Sequence, residues 1–124
     1  MHPDTARTVY PVIARGLAVK RRLAAGPPPA FDPEHAALKE LLAAVPAGDG
    51  RFLGARYPLA CWLDELFTGT PAWAARWTER KLEGELYGTN DRAWKFWEQA
   101  KLAEQLPADD ALAVFHLCVR LGFR

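Results

Sequence analysis

The stretch RYPLACWLDELFTGTP, Arg56 to Pro71, constrains this chain more than any other. Read as a helix, it sets Leu59, Trp62, Leu63, Leu66 and Phe67 at three-and-four spacing along one broad apolar stripe. Cys61, Asp64, Glu65 and Thr68 fall on the remaining arc. Neighbouring helical side chains point about 100° apart, so Asp64 and Glu65 cannot face each other as a pair. They form an acidic ridge beside an apolar stripe, suited to a basic partner. The plainer alternative is a solvated helix face, or one carboxylate paired internally with an arginine. Thr68-Gly69-Thr70-Pro71 stops the helix. Pro58 belongs in its first turn or bends it, since a proline deeper inside costs about 3 kcal/mol.

Around this stretch the same helical period recurs, and no segment alternates apolar and polar residues as a half-buried strand would. A first helix runs from Asp4 or Thr5 to about Ala25, with Val9, Val12, Ile13, Leu17 and Leu23 as a loose stripe. Thr5 is a candidate N-cap, and Pro11 marks a kink or the true helix start. Gly26-Pro27-Pro28-Pro29 breaks it. A second helix opens on Asp32 as N-cap and Pro33, lined by Leu38, Leu41, Leu42 and Val45, and ends at Pro46-Ala47-Gly48-Asp49-Gly50. After Pro71, a connector holds Trp73. A fourth helix covers about Ala75 to Tyr87 with Trp77, Leu82 and Leu86 inward and Gly88 as its C-terminal cap. Asn90 caps a fifth, through about Glu104, with Trp94, Phe96, Trp97 and Leu102 apolar. The last, roughly Asp109 to Leu121, is apolar nearly all round, which predicts the central, most buried helix. The fold expected is all-α: one domain, residues 1–124, a bundle of about six to seven helices.

A chain of 124 residues suits one domain. Five tryptophans, at 62, 73, 77, 94 and 97, predict an aromatic-rich centre, each ring burying about 150–250 Å². Sixteen Lys and Arg against fifteen Asp and Glu leave +1, which gives no electrostatic footprint for nucleic acid. Cys61 and Cys118 lie far apart inside predicted helices and read as buried thiols in a reducing compartment. No apolar run approaches the roughly 20 residues of a membrane span, and Pro11, Arg15 and Lys20 interrupt any signal-peptide core.

Catalytic signatures are missing. The sequence has no glycine-rich phosphate loop, no CxxC, no HExxH and no serine at all. His2, His35 and His116 fall on separate elements; His116 and Cys118, two apart on a helix, splay away from each other as ligands. For His116 a core or interface placement is the expectation. Adjacent carboxylates such as Asp64 and Glu65 flank a bond poorly, since a glycosidase pair stands about 5 Å or more apart on two sides. The reading is non-enzymatic, without catalytic residues, metal or cofactor; a small hydrolase using Asp64 is the remote rival.

Four pieces in order carry a family resemblance. They are Asp64-Glu65 on a helix closing at Thr70-Pro71, a Trp shortly after (Trp73 or Trp77), the step Leu86-Tyr87-Gly88, and the closing HLCVRLGF from His116 to Phe123. Together they resemble the cytoplasmic domain of the DotU/TssL (IcmH) proteins, inner-membrane components of type VI and type IVB secretion systems. The resemblance covers Arg56 to Arg124 well; residues 1–55 share only helical character and an upstream position. It implies a helical bundle on the cytoplasmic face of the bacterial inner membrane, itself soluble and cytoplasmic. It implies docking to an IcmF/TssM-like membrane partner and to baseplate subunits, with membrane contact only through a span absent from this chain. The family's docking cleft maps to Asp64 and Glu65 and nothing further. Trp62, Trp73 and Trp77 are separate candidates to frame the same groove, with core placement the readier reading for at least two of them. Self-association as a homodimer stays open. Three departures bear on the partner set: Tyr87-Gly88-Thr89 replaces His-Gly-Glu, Thr89-Asn90-Asp91-Arg92 replaces Gly-Gly-Glu, and Ala113 replaces an acidic residue. The rival reading is a soluble helical adaptor unrelated to secretion.

Overall fold

Eight successive residues, Tyr57 to Asp64, are buried on every side of one helix. That segment is the axis of the molecule. The computed structural model describes residues 1–124 and contains helices but no strand. Five helices are long: α1 (Pro3–Ala25), α2 (Phe31–Ala43), α3 (Arg56–Thr68), α6 (Arg92–Glu104) and α7 (Asp110–Arg120). Two are short, α4 (Ala74–Glu79) and α5 (Leu82–Tyr87), six residues each. The all-α bundle expected from the periodicity is the fold observed.

α3 packs against all six other helices. A stripe along one side therefore understates it: Cys61 and Asp64, placed on the outer arc by the three-and-four pattern, are fully buried too. Pro58 lies in the first turn, where its missing N–H costs nothing. The expectation of a central terminal helix is corrected. α7 buries Val114, Phe115 and Cys118, while His116 and Val119 are exposed. Its apolar girth comes from packing at the edge, against α3 and α6. His116 lies at the rim of a surface groove rather than in the core.

α1 crosses α3 at Gly16, where a Cβ would stand 2.9 Å from Cζ3 of Trp62 and 3.0 Å from Cδ2 of Leu63. Only a residue without a side chain lets the two helices come this close. Pro11 neither starts nor ends α1; it sits inside it on the exposed side, where the carbonyl it leaves unpaired meets water. His2, not Thr5, is the N-cap, its ring accepting from the Asp4 N–H at 3.1 Å. α2 starts at Phe31, one residue ahead of the expected Asp32 cap, because Phe31 is buried in an aromatic cluster.

That cluster joins α2, α3 and α4. Phe31 meets Trp73 and Trp77 edge-on at 5.2 and 5.8 Å, and Phe67 lies 4.7 Å from Trp77. A second cluster stacks Phe123 on Phe96 at 4.0 Å, with Phe115 against Phe96 at 5.1 Å. The core thus holds three of the five tryptophans, Trp73 and Trp77 in the first cluster and Trp62 apart from both. Trp94 and Trp97 on α6 are 55% and 42% exposed, since the inward positions of that helix go to Phe96, Gln99 and Ala103.

Adding a side chain at the α1–α3 crossing tests this packing. Gly16→Val should lower stability by about 1–3 kcal/mol through overpacking against Trp62, read as a shifted urea midpoint at unchanged slope.

Candidate functional site

The fourth helix expected over Ala75–Tyr87 is broken at Arg80-Lys81, and the cause sits on α3. Asp64 projects from α3 into the gap. Its Oδ1 accepts from the Trp77 indole N–H at 2.8 Å and from the Leu82 N–H at 2.7 Å. Its Oδ2 accepts from the Glu83 N–H at 2.9 Å. A carboxylate thus caps the start of α5 from a neighbouring helix, meeting donors that α5 cannot satisfy internally. Burial pushes the Asp64 carboxyl above 3.8; the donors from Glu83, Trp77 and Leu82 and the Arg92 guanidinium draw it back.

Glu83 repeats the device one step on. Its Oε2 accepts from the Tyr57 hydroxyl at 2.8 Å, the Thr89 hydroxyl at 2.8 Å and the Asp91 N–H at 2.9 Å. Its Oε1 accepts from the Arg92 N–H at 3.2 Å, at the start of α6. Burial pushes this carboxyl up, but its donors outweigh burial and hold it below 4.5. The two carboxylates form a relay: α3 holds the start of α5, and α5 holds the start of α6.

The expected acidic ridge is therefore corrected. Asp64 is wholly buried with both oxygens bound, so it offers nothing to a partner and cannot serve a hydrolase as free base. Trp77 is its hydrogen-bond donor and Trp73 stacks on Trp77 with centroids 5.9 Å apart. Both are core rather than the frame of a groove. Trp62 is 2% exposed and touches a cleft only at its edge, its indole N–H reaching the Leu121 carbonyl at 3.4 Å. The 100° turn from Asp64 to Glu65 carries Glu65 from core to surface.

Glu65 is half-buried and accepts from the Arg124 N–H at 3.2 Å. It stands between two adjoining clefts that also share Phe123. One, of about 270 Å³, is lined by Lys20, Trp62, Leu66, Thr70 and Leu121. The other, of about 360 Å³, is lined by Lys81, Asn90, Arg92, Ala93 and Arg124. Of the five candidates, Glu65 and the edge of Trp62 border this open space, and Asp64, Trp73 and Trp77 do not.

Four buried residues with polar groups carried no local signal. His35 is fully buried, stacked on Phe31 at 5.3 Å with Nε2 at 2.8 Å from the Arg80 carbonyl; burial lowers its pKa below 6.5. Glu34 binds Arg15 at 2.7 Å and Arg22 at 3.0 Å, tying α2 to α1. Tyr57 and Glu83 find each other across 26 positions. Cys61 and Cys118 are free and buried, and burial pushes both thiols up. Of the departures, Tyr87 packs inward on Tyr57 at 5.1 Å. Ala113 lines a separate groove with Tyr10, Trp97, His116 and Arg120. No group of His, Cys, Asp or Glu is placed to hold a metal ion, and no helix is long and apolar enough to cross a membrane.

A family model described as "Type VI secretion system protein DotU" matches residues 31–124. The match begins well upstream of Arg56, taking in α2 and both walls of the cleft except Lys20. No curated protein and no solved structure matches.

The roles of the two adjacent acids should separate on mutation. Asp64→Ala strands three buried donors and should cost about 3–5 kcal/mol, whereas Glu65→Ala should stay within about 0.5 kcal/mol, both by urea unfolding. The acid limb tests Glu83. Its folded value is depressed, so its stabilisation is fully present above 4.5 and fades as pH falls through the folded value. Glu83→Gln should therefore be less stable at pH 7 and lose less on acidification below 4.5 than the parent, seen as converging thermal midpoints.

Proposed function

Because the chain belongs to the DotU family of type VI secretion system proteins, we propose that it is a non-enzymatic docking module that grips other secretion-system proteins through the cleft beside Glu65. The partners are an IcmF/TssM-like membrane protein and baseplate subunits, and the site of action is the cytoplasmic face of the inner membrane. The observation that carries this reading is the cleft's construction. Its walls come from α3, α6 and the segments around Lys81 and Phe123, and the Asp64–Glu83 relay holds these parts in register. A docking surface built on braced helices loses little conformational entropy when a partner arrives. Chemistry is not what such a site supplies: its recessed carboxylates are committed to backbone and indole donors, and its remaining acid lies at the mouth.

Affinity capture of the tagged full chain from its native host tests the proposal. Membrane-complex and baseplate proteins should be recovered with it. Ala93→Trp, an exposed position on the cleft wall, should plug the cleft and cut their recovery by about tenfold without moving the thermal midpoint. Capture of unrelated proteins alone, or full recovery with Ala93→Trp, would overturn it.

A further inference from the structure

The charge around Glu65 is the reverse of what an acidic ridge would present. Lys20 borders one cleft, and Lys81, Arg92 and Arg124 border the other. None of these four cations forms a salt bridge, and neither do Arg21, Arg51, Arg56, Lys95, Lys101 or Arg120; what distinguishes the four is that they gather around two adjoining clefts with a single acidic side chain between them. Two of the four are held instead by neutral acceptors. Lys81 donates to the Asn90 side-chain oxygen, and Arg92 reaches the Thr68 hydroxyl at 3.4 Å. Asp64, whose carboxyl the Arg92 guanidinium acts on, and Glu83, which accepts the Arg92 N–H, are buried with their oxygens already occupied.

We propose that this cleft takes an extended, acidic and partly apolar segment of a partner protein; the inference rests on the docking reading above and specifies the chemistry of what docks. Unpaired cations around a concave surface call for carboxylates of a partner, which gain in strength as water is displaced. Phe123, Leu66 and Leu121 line the same depressions and offer apolar side chains a seat between those carboxylates. Glu65 at the junction decides between sources of negative charge. It uses one oxygen on the Arg124 N–H and keeps acceptor capacity for the N–H of an added peptide backbone. A phosphodiester group carries no such N–H donor.

A fluorescein-labelled peptide of repeating Asp-Leu-Gly units, titrated against the full chain by anisotropy, tests this. It should bind and weaken with added salt, while the Lys-Leu-Gly counterpart should not bind. Lys81→Glu with Arg92→Glu should weaken it by about tenfold or more. Since Arg92 also acts on Asp64, Lys20→Glu with Lys81→Glu is the second variant, with helical circular dichroism confirming both folds. Preference for the basic peptide, or indifference to both reversals in folded protein, would overturn the inference. So would binding of phosphatidylserine vesicles or duplex DNA in place of the acidic peptide. Host capture separates the two claims. If Ala93→Trp loses the secretion partners and the charge reversals keep them, docking stands and the acidic partner falls. If the acidic peptide binds and no secretion protein is captured, the cleft chemistry stands and the secretion assignment falls.

Discussion

One carboxylate, that of Asp64, sets the arrangement of half the molecule. A buried carboxylate without partners would be driven to neutralise, because transferring an isolated charge from water is prohibitive. Here three N–H donors converge on it, from Trp77 and from the first two residues of α5. The exchange is mutual. A six-residue helix is too short to be stable by its own hydrogen bonds, and its leading N–H groups have no partner within it. Asp64 supplies that partner, and α5 supplies the solvation that Asp64 lost.

Glu83 extends the same logic. It enters the core as the second residue of α5 and uses its carboxylate to receive the chain where α6 begins. Tyr57 on α3 donates to it as well, so the central helix holds the relay at two points. Helices that would be marginal separately become one unit because each starts on an acid delivered by the one before. The cleft beside Glu65 borders this unit, and two of its four cations stand on the segments the relay positions: Lys81 just before α5, Arg92 at the start of α6.

The consequence for recognition is a separation of roles between neighbours. Asp64 is structural because it faces inward; Glu65, one residue on, is available because it does not. The tryptophans divide in the same manner. Trp73 and Trp77 complete the core around Phe31, His35 and Phe67, whereas Trp94 and Trp97 remain on the surface. The cleft beside Glu65 therefore presents a basic rim around a single acidic side chain, not an acidic shoulder framed by indoles.

Period and punctuation in the chain determined its class by themselves. Three-and-four spacing of apolar residues, proline after Gly26 and at 46, 71 and 107, and glycine at the ends of helices are local signals, and they placed five long helices within a few residues. The four ordered pieces from Asp64 to Phe123 likewise carried the family, since a motif survives in the order of residues alone. What local pattern could not decide was direction. The all-round apolar surface of α7 reads like a central helix, yet only the positions of the other six helices make α3 the axis. A carboxylate such as Asp64 looks the same in sequence whether it faces water or three donors, the nearest of them thirteen residues away. The Tyr57–Glu83 bond and the meeting of Lys20, Lys81 and Arg92 around Glu65 join positions distant in the chain, and proximity of that kind exists only once the helices have packed.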